Sequence, residues 1–398
     1  MKAIVSKEGT HALLCLEGRL DTAASQQVSM NIDEQLATLG HVDGLVCDAT
    51  GLEYISSSGL RVLLTLRKRY PDFLLKEVCS EVYEVLEMTG FTKMMTVERA
   101  LRSMSVDGCE EIGRGGVGIV YRINEDTIIK VFREGTDISE VRREITMSKE
   151  AFVLGMPTAI SFDVVRVGSQ YGLVYELLNA ETLSACIYKN PSRLDEYASL
   201  YAGLFRQLHS IEVQQPSLIP NSMQHVEESI HYISRYFDTP SIDLLLSIVS
   251  AIPQANRLLH CDLQTKNAMM QGDELMLIDM GEVGYGHPMI DLGNAHSAMV
   301  ALIGDYEKII GFPREIGLDL WKRTMHYYFE GLSEVDFAHR MEQIEAVSVV
   351  RNFTWLSLSD SFPEAVIKEC QQAFGERVLK RKDYLLDISR TFSDWTVK

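Results

Sequence analysis

The sequence predicts two domains, an α/β domain at the N-terminus and, after it, an α+β domain with two lobes. Segments typical of strands and helices alternate in the first part of the chain, which indicates a mostly parallel sheet. The second part begins with a glycine-rich β-hairpin and another strand, and beyond residue 311 its pattern is mainly helical. Together these observations predict the fold class of the chain.

In the first domain, short apolar runs alternate with longer segments of helical periodicity. The apolar runs predict strands at 3–6, 12–16, 44–48 and 73–75, and the periodic segments predict helices at 21–39, 56–70 and 80–88. Residues 103–109 lack periodicity and predict a linker. The expected organisation is therefore a first domain at 1–102, a linker at 103–109, and two lobes at 110–180 and 181–398.

The composition is typical of a globular protein, with 46% hydrophobic and 24% charged residues, and the net charge of −18 argues against general nucleic-acid binding. An acidic cleft would attract a cationic substrate, although many acidic proteins bind none. The seven cysteines show no CxxC spacing, which argues against a zinc site or a redox pair. No apolar run approaches the ~20 residues of a membrane span. We therefore expect a cytoplasmic protein that binds neither nucleic acid nor membrane.

A GxGxxG pattern opens the second domain at Gly113, Gly115 and Gly118. A β-rich segment follows these glycines, whereas a dinucleotide-binding site would continue from the glycines into a helix. Glycines in a β-hairpin let the backbone approach phosphate groups because no Cβ intervenes. The pattern therefore predicts a flap over the phosphates of ATP.

The strand predicted at 127–132 carries one lysine, Lys130, on the face that strand alternation turns inward. This position predicts contact between Lys130 and the α- and β-phosphates. The next segment has a helical pattern, and either Glu140 or Glu144 could pair with Lys130. We expect the pair to form with Glu144.

Polar residues recur at a characteristic spacing after His260. Asp262 follows His260 by two residues and precedes Asn267 by five, and Asp279 follows an apolar run that fits a short strand. This is the layout of a phosphoryl-transfer centre. It predicts Asp262 as the base at the acceptor hydroxyl, with Asn267 and Asp279 as ligands of Mg²⁺.

Other polar residues lie near these motifs. We expect His260 to brace the loop, Cys261 to be structural and His209 to pack within a helix. Glu282, just after the metal-binding acid, fits a supporting role and a solvated position equally well. The aromatic residues of the C-terminal helices are expected mainly in the core, and lining of an acceptor pocket is the alternative.

From about Glu110 onward the chain resembles the protein-kinase-like superfamily, and it is nearer the aminoglycoside and small-molecule phosphotransferase branch. The resemblance implies binding of ATP and Mg²⁺, with Glu176 and Leu178 of a hinge-like segment meeting adenine through backbone groups. No Ala-Pro-Glu follows Asp279, which favours a small-molecule acceptor. Asp291, in the segment found there instead, either supports the catalytic loop or caps the next helix.

The first domain contains two segments, 16–21 and 54–60, that resemble the STAS fold of anti-sigma-factor antagonists. In that family a serine in the second segment is phosphorylated, which breaks partner binding. The resemblance implies Ser57 as the regulated position, with Ser58 as the second choice. The alternative is that these serines only cap the helix that follows.

These features predict a STAS-like domain fused to a protein-kinase-like, phosphotransferase-like domain. The expected function is ATP-dependent transfer of the γ-phosphoryl group to a hydroxyl of a small-molecule acceptor, with the STAS-like domain as regulator. One alternative is a protein serine kinase that acts on a STAS domain in a partner-switching pathway. The other is a non-catalytic, ATP-sensing partner-switch protein. The expected partner is accordingly a hydroxylated small molecule or a STAS or anti-sigma-type protein.

Overall fold

The computed structural model describes residues 1–214, 217–358, 362–393 and 395. The chain divides into two compact units, Met1–Met104 and Ser105–Lys398. The predicted limits of the linker and of the two lobes remain predictions, and residues 396–398 of the second lobe lie outside the described residues. No helix in the described part of the chain is long and apolar enough to cross a membrane.

The first unit is an α/β sheet layered with helices, as the alternating pattern predicts. Its elements are β1 (Lys2–Glu8), β2 (His11–Leu20), α1 (Thr22–Thr38), β3 (Gly44–Ile55), α2 (Ser57–Arg69), β4 (Leu74–Val78), α3 (Ser80–Met88), β5 (Thr96–Arg99) and β6 (Arg102–Ser103). The five-stranded sheet runs in the order β1-β2-β3-β4-β5, in which only the β1–β2 pair is antiparallel. Leu14, Leu45 and Leu63 lie in its fully buried core. Strand β5 is an element that the sequence pattern did not predict.

The second unit begins with an antiparallel sheet and one helix, which form its first lobe. The elements are β7 (Glu110–Arg114), β8 (Gly118–Arg122), β9 (Thr127–Phe132), α4 (Ile138–Val153), β10 (Ser161–Val167) and β11 (Gln170–Glu176). These strands pair in the order β10-β11-β9-β8-β7. Asp137 is the N-cap of helix α4, and its carboxylate accepts a hydrogen bond from Ser139 N–H at 2.7 Å. The sheet and α4 together bring the flap, the lysine strand and the glutamate helix into one lobe.

The second lobe is mainly helical, with short strands around residues 260–267, the predicted catalytic loop. It contains β12 (Glu181–Thr182), α5 (Leu183–Lys189), α6 (Leu194–Ser210), α7 (Ser222–Ile233), α8 (Thr239–Ser250), β13 (Arg257–Leu259), β14 (Ala268–Gln271), β15 (Glu274–Leu277), β16 (Gly284–Gly286), α9 (Pro288–Met299), α10 (Tyr306–Ile310), α11 (Arg314–Tyr328), α12 (Glu334–Thr354), α13 (Glu364–Arg377) and α14 (Lys382–Ser389). The β13–β16 pair and the β14–β15 hairpin hold the loop between them. Trp321 and Tyr328 of α11 are buried in the core of this lobe, as expected for aromatic residues at helical spacing.

Candidate active site

The glycine flap joins β7 to β8, and its glycines have different local surroundings. A Cβ added at Gly118 would lie 2.2 Å from the carbonyl oxygen of Val131, so only glycine allows β8 to pack this closely on β9. A Cβ at Gly116 would meet nothing within 4 Å, and one at Gly115 would only reach 4.0 Å from Gly118 O. The tip of the flap is therefore open, and Gly118 fixes the strand behind it.

The predicted ion pair between Lys130 and Glu144 is present. Lys130 Nζ lies 2.8 Å from Glu144 Oε1 and 3.0 Å from Oε2, and both side chains are almost fully buried. The hydroxyl of Tyr175, on the neighbouring strand β11, donates to Glu144 Oε1 at 2.8 Å. Glu144 is thus held from two sides, so that it fixes the position of the Lys130 ammonium group.

Lys130 also contacts Asp279, the acid predicted to bind metal. The distance from Lys130 Nζ to Asp279 Oδ1 is 2.9 Å, and the Asp279 side chain is 43% exposed. Burial alone would lower the pKa of Lys130, but the two carboxylates of Glu144 and Asp279 outweigh it and raise that pKa. The lysine therefore stays cationic, and its contact with phosphate remains a prediction.

Asp262 lies at the centre of a hydrogen-bonded loop. Its Oδ2 accepts from Asn267 Nδ2 at 2.9 Å and from Gln264 Nε2 at 3.2 Å, and Arg351 Nη2 lies 3.6 Å from Oδ1. Burial raises the pKa of Asp262 above its usual value, with Arg351 and His260 acting in the opposite direction and Asp279 adding to the rise. A carboxyl group with a raised pKa is a stronger proton acceptor when ionised, which suits a general base.

The backbone of this loop is anchored by Asp291, in the first turn of α9. Its carboxylate accepts from the backbone N–H groups of His260 at 3.0 Å and Cys261 at 2.8 Å, and it contacts His209 Nε2 at 3.2 Å. Burial would raise the pKa of Asp291, but the hydrogen bond from His209 and the charges of His209 and His260 lower it below its usual value. His287, not Asp291, caps α9. Asp291 therefore supports the catalytic loop, and His209 has a charged partner in addition to its helix packing.

The structure also gives the contacts of three further residues, two in the loop and one after Asp279. His260 braces the loop as expected, since its Nε2 contacts the carbonyl oxygen of Ile278 at 3.1 Å. Cys261 is buried with its Sγ 3.2 Å from Ser222 Oγ, and burial raises the pKa of its thiol, which fits a structural role. Glu282 pairs with His225 at 3.3 Å, and this hydrogen bond, together with the charges of Arg351, His225 and Arg143, lowers the pKa of Glu282 to about 2 despite its burial. The sequence fitted a supporting role and a solvated position equally well for Glu282, and in the structure its carboxylate is paired with His225.

Asn267 and Asp279 offer oxygen atoms of the kind that Mg²⁺ prefers. Ile278 N–H donates to the carbonyl of Asn267 at 3.0 Å, which brings Asp279 beside Asn267. No cluster of three or more His, Cys, Asp or Glu side chains with metal-binding geometry occurs among the described residues. Mg²⁺ is commonly held by one or two protein ligands, with substrate phosphates and water completing its shell. The two side chains fit such a shared ion, and their role as ligands remains a prediction.

The two hinge residues predicted at adenine lie at the end of β11, with Glu176 as its last residue and Leu178 two residues beyond it. The N–H of Glu176 donates to Ile160 O at 3.0 Å, and its carboxylate accepts from Ile160 N–H at 2.7 Å. Glu176 is therefore bonded through both groups to Ile160, the residue just before β10. Contact of Glu176 or Leu178 with adenine remains a prediction.

The serine segment of the first unit forms the start of α2. Ser56 is the cap, since its Oγ accepts from Gly59 N–H at 3.2 Å and donates to Leu20 O at 3.2 Å. Ser57 is exposed and Ser58 is half-buried. Capping thus belongs to Ser56, and the hydroxyl of Ser57 lies at the surface. Modification of Ser57 or Ser58 remains a prediction.

Comparisons with known families agree with both units. Residues 2–104 match the STAS domain, and residues 109–307 match the phosphotransferase enzyme family. The fold and the site thus define a two-domain protein with a STAS domain and a kinase-like domain of two lobes. The chain belongs to the phosphotransferase enzyme family. A protein named as an anti-sigma factor antagonist, BtrV of Bordetella bronchiseptica, is 32% identical over 101 residues, which cover 24% of this chain and 85% of that protein.

Several solved structures are similar to the chain. A choline/ethanolamine kinase family protein from Mesorhizobium loti is 16% identical with a TM-score of 0.47, covering 71% of this chain and 92% of its own. The ethanolamine kinase of Plasmodium vivax is 15% identical with a TM-score of 0.48, covering 82% and 95%. The ADP-bound aminoglycoside phosphotransferase APH(2'')-Ib is 15% identical with a TM-score of 0.43, covering 79% and 99%.

Sequence reasoning missed two residues of the site, Tyr175 and Arg351. Arg351 lies in α12, far along the chain from Asp262, and no local motif marks it. Tyr175 lies inside the hinge-like segment, where its hydroxyl is the polar side-chain group of the buried run 172–175 of β11. A buried hydroxyl needs a partner, and that need was the one available signal.

Proposed function

We propose that the protein transfers the γ-phosphoryl group of ATP to a hydroxyl group of a small-molecule acceptor, under the influence of its STAS domain. The observation that carries this proposal is the connected cluster of Lys130, Asp279, Asn267 and Asp262. Ion pairs and hydrogen bonds of 2.8–3.0 Å hold Lys130 to Glu144 and Asp279, and Asn267 to Asp262. Each position needed for phosphoryl transfer is therefore filled by a residue of suitable chemistry.

The roles follow from the chemistry of each side chain. Lys130, kept cationic by Glu144, binds the α- and β-phosphates below the open tip of the flap. Asn267 and Asp279 hold Mg²⁺, which neutralises the charge that develops on the transferred group. Asp262 orients the acceptor hydroxyl and takes its proton as the new O–P bond forms and the bond from the γ-phosphorus to ADP breaks.

The test is a phosphoryl-transfer assay with labelled ATP and a panel of small hydroxylated compounds. Asp262→Asn is the test variant, and Asp273→Asn, an exposed acid in the turn of the β14–β15 hairpin, is the matched control. We expect a labelled product with the parent and the control, and phosphoryl transfer lower by roughly 10²-fold or more with Asp262→Asn. Binding of ATP without any transfer by the parent protein would instead support the non-catalytic, ATP-sensing alternative.

A second candidate function is protein serine kinase activity on a STAS domain. The exposed hydroxyl of Ser57 favours it, because Ser56 already serves as the helix cap and leaves Ser57 accessible. A phosphate adds ~1.5–2 negative charges at a contact surface, and the relative BtrV is named as an anti-sigma factor antagonist. In this case the partner is an anti-sigma-type protein.

Mass spectrometry after treatment with ATP and Mg²⁺ separates the two functions. Phosphate at Ser57 or Ser58 in the parent but not in Asp262→Asn would support the protein-kinase function. Phosphate at neither serine, together with transfer to a small hydroxylated compound, would reject it. In that event the STAS domain acts as a docking or regulatory domain for a small-molecule kinase.

A further inference from the structure

A small cavity lies beside the catalytic loop, between α4, α7, α9 and α12. Its volume is about 30 Å³, and its polar lining consists mainly of Arg143, Ser222, His225, Glu282, Asn294 and Arg351. The site described above uses Arg351 only as a neighbour of Asp262 and leaves the cavity without a role. The cavity is therefore a candidate binding site for a further group of a ligand.

The cavity adjoins the predicted base through two connections. Arg351 lines it and also reaches to 3.6 Å from Asp262 Oδ1. Asn294 lines it and donates from Nδ2 to the carbonyl oxygen of Cys261 at 2.7 Å, one residue before Asp262. A molecule with one group in this cavity would hold its remaining atoms close to Asp262.

The charges around the cavity differ in sign from the charge of the whole chain. The chain carries a net charge of −18, yet the cavity is lined by two arginines and one acid. That acid, Glu282, is paired with His225 at 3.3 Å. A guanidinium group recognises carboxylate and phosphate oxygens with good geometry. The local chemistry thus favours an anionic group over the cationic group that the net charge alone would attract.

The size of the cavity suits a small acidic group. A volume of roughly 10–15 Å³ on this measure holds one water molecule, so about 30 Å³ holds only a few atoms. Apolar residues line the remainder, including Val226, Val249, Ile252 and Ile290. A carboxylate or a phosphate fits such a volume, whereas a multiply charged, sugar-sized group does not.

We propose that this cavity binds an acidic group of the acceptor, so that the acceptor is a small hydroxylated anion. Arg143 and Arg351 contact the acid, and the hydroxyl of the same molecule lies at Asp262. The inference rests on the proposed phosphotransferase function and names the substrate class for that site.

The experiment compares three small probes of different charge, namely D-glycerate, glycerol and choline. Binding to the full chain is measured by isothermal titration calorimetry with ADP and Mg²⁺, so that no phosphoryl transfer takes place. The test variants are Arg143→Gln and Arg143→Glu. Arg143 is exposed, and it is preferred to Arg351 because Arg351 lies 3.6 Å from Asp262, so that its replacement would also disturb the predicted base. Lys149→Gln, an exposed cation on the same helix that does not line the cavity, is the matched control.

We expect the parent and Lys149→Gln to bind D-glycerate more tightly than glycerol or choline. Arg143→Gln should weaken D-glycerate binding by about tenfold or more, the scale of a hydrogen bond to a charged group, and leave glycerol unchanged. Arg143→Glu should bind choline more tightly than D-glycerate. Equal or tighter binding of choline by the parent, no binding of D-glycerate, or an unchanged D-glycerate affinity in Arg143→Gln would overturn the inference. D-glycerate bound as expected, with no transfer from ATP to D-glycerate or to any compound of the hydroxylated panel, would reject the proposed function and leave the anion site standing.

Discussion

The serine turn of the first unit and the catalytic loop of the second are both polar turns, yet they are held in different ways. The serine turn depends on one side chain, Ser56, whose Oγ bonds Gly59 N–H three residues on and one carbonyl of β2. The catalytic loop is held by Asp291 from α9, by His260 against Ile278, and by Arg351 from α12. A turn fixed locally leaves its neighbouring hydroxyl at the surface, whereas a loop fixed from several elements holds its carboxylate in one place.

This difference matches the two kinds of chemistry proposed for them. A residue that is to be modified must be accessible to another protein or active site, and Ser57 is exposed. A residue that acts as a base must keep its position during the reaction, and Asp262 is bonded by Asn267 and Gln264. The comparison predicts that substitutions in the loop have larger effects than substitutions in the turn.

The largest effect is expected on the stability of the second unit. Asp291→Asn places an amide against two backbone N–H groups and His209, and it should lower the free energy of unfolding by about 3 kcal/mol or more, since buried donors lose their acceptor. The three tryptophans, Trp321, Trp355 and Trp395, all lie in this unit, so urea unfolding followed by tryptophan fluorescence reports on it alone. Asp387→Asn, an exposed acid, is the control and should change the value by less than about 0.5 kcal/mol. Equal stability of Asp291→Asn and the control would remove Asp291 as the anchor.

The next effect is expected on catalysis. Asp262→Asn should keep ATP binding and lower phosphoryl transfer by roughly 10²-fold or more, because a positioned base contributes on that scale. Single-turnover transfer from labelled ATP measures the step, with binding followed separately by titration. A transfer rate equal to that of Asp273→Asn would show that Asp262 is not the base.

The third effect concerns the metal. ATP should raise the melting temperature of the chain much more with Mg²⁺ than without it, since a ligand bound only to the folded state stabilises that state. Asp279→Ala should remove this dependence on Mg²⁺, and Asp273→Ala should retain it. Melting is followed by tryptophan fluorescence in each condition. A full Mg²⁺ effect in Asp279→Ala would contradict its assignment as a ligand.

The smallest effects are expected in the serine turn. Ser56→Ala removes the N-cap of α2 and should cost about 1 kcal/mol, whereas Ser57→Ala should cost less than about 0.5 kcal/mol because its side chain is exposed. Amide hydrogen exchange within α2 measures both, and Gly59 N–H should lose protection in Ser56→Ala only. Equal losses in the two variants would show that the turn is not fixed by Ser56 alone.

Much of the second unit could be predicted because its chemistry is encoded by spacing along the chain. Asp262, Asn267 and Asp279 lie close together in sequence. The alternation of side chains along a strand was enough to predict that Lys130 points inward, where it meets Glu144. Arg351 and Tyr175 could not be found in this way, because their contacts join elements that only the tertiary fold brings together. The choice between two roles for Asp291 also needed the structure, since a helix cap and a loop anchor can share one position in sequence.

The catalytic loop has a further property in its backbone. Among the described non-glycine residues, φ is positive at Glu77, Cys261 and Asp279, with values of 56°, 65° and 62°. Glycine adopts this region readily, as asparagine and aspartate do to a lesser degree, whereas other residues are held there at a cost of roughly 1–2 kcal/mol each. In the loop at 260–267 this cost falls on Cys261, whose backbone N–H is held by Asp291 at 2.8 Å and whose Sγ lies 3.2 Å from Ser222 Oγ. The fold thus keeps a strained backbone at the residue just before Asp262, and a screen that selects for heat resistance alone would be expected to relax this turn and lose activity here first.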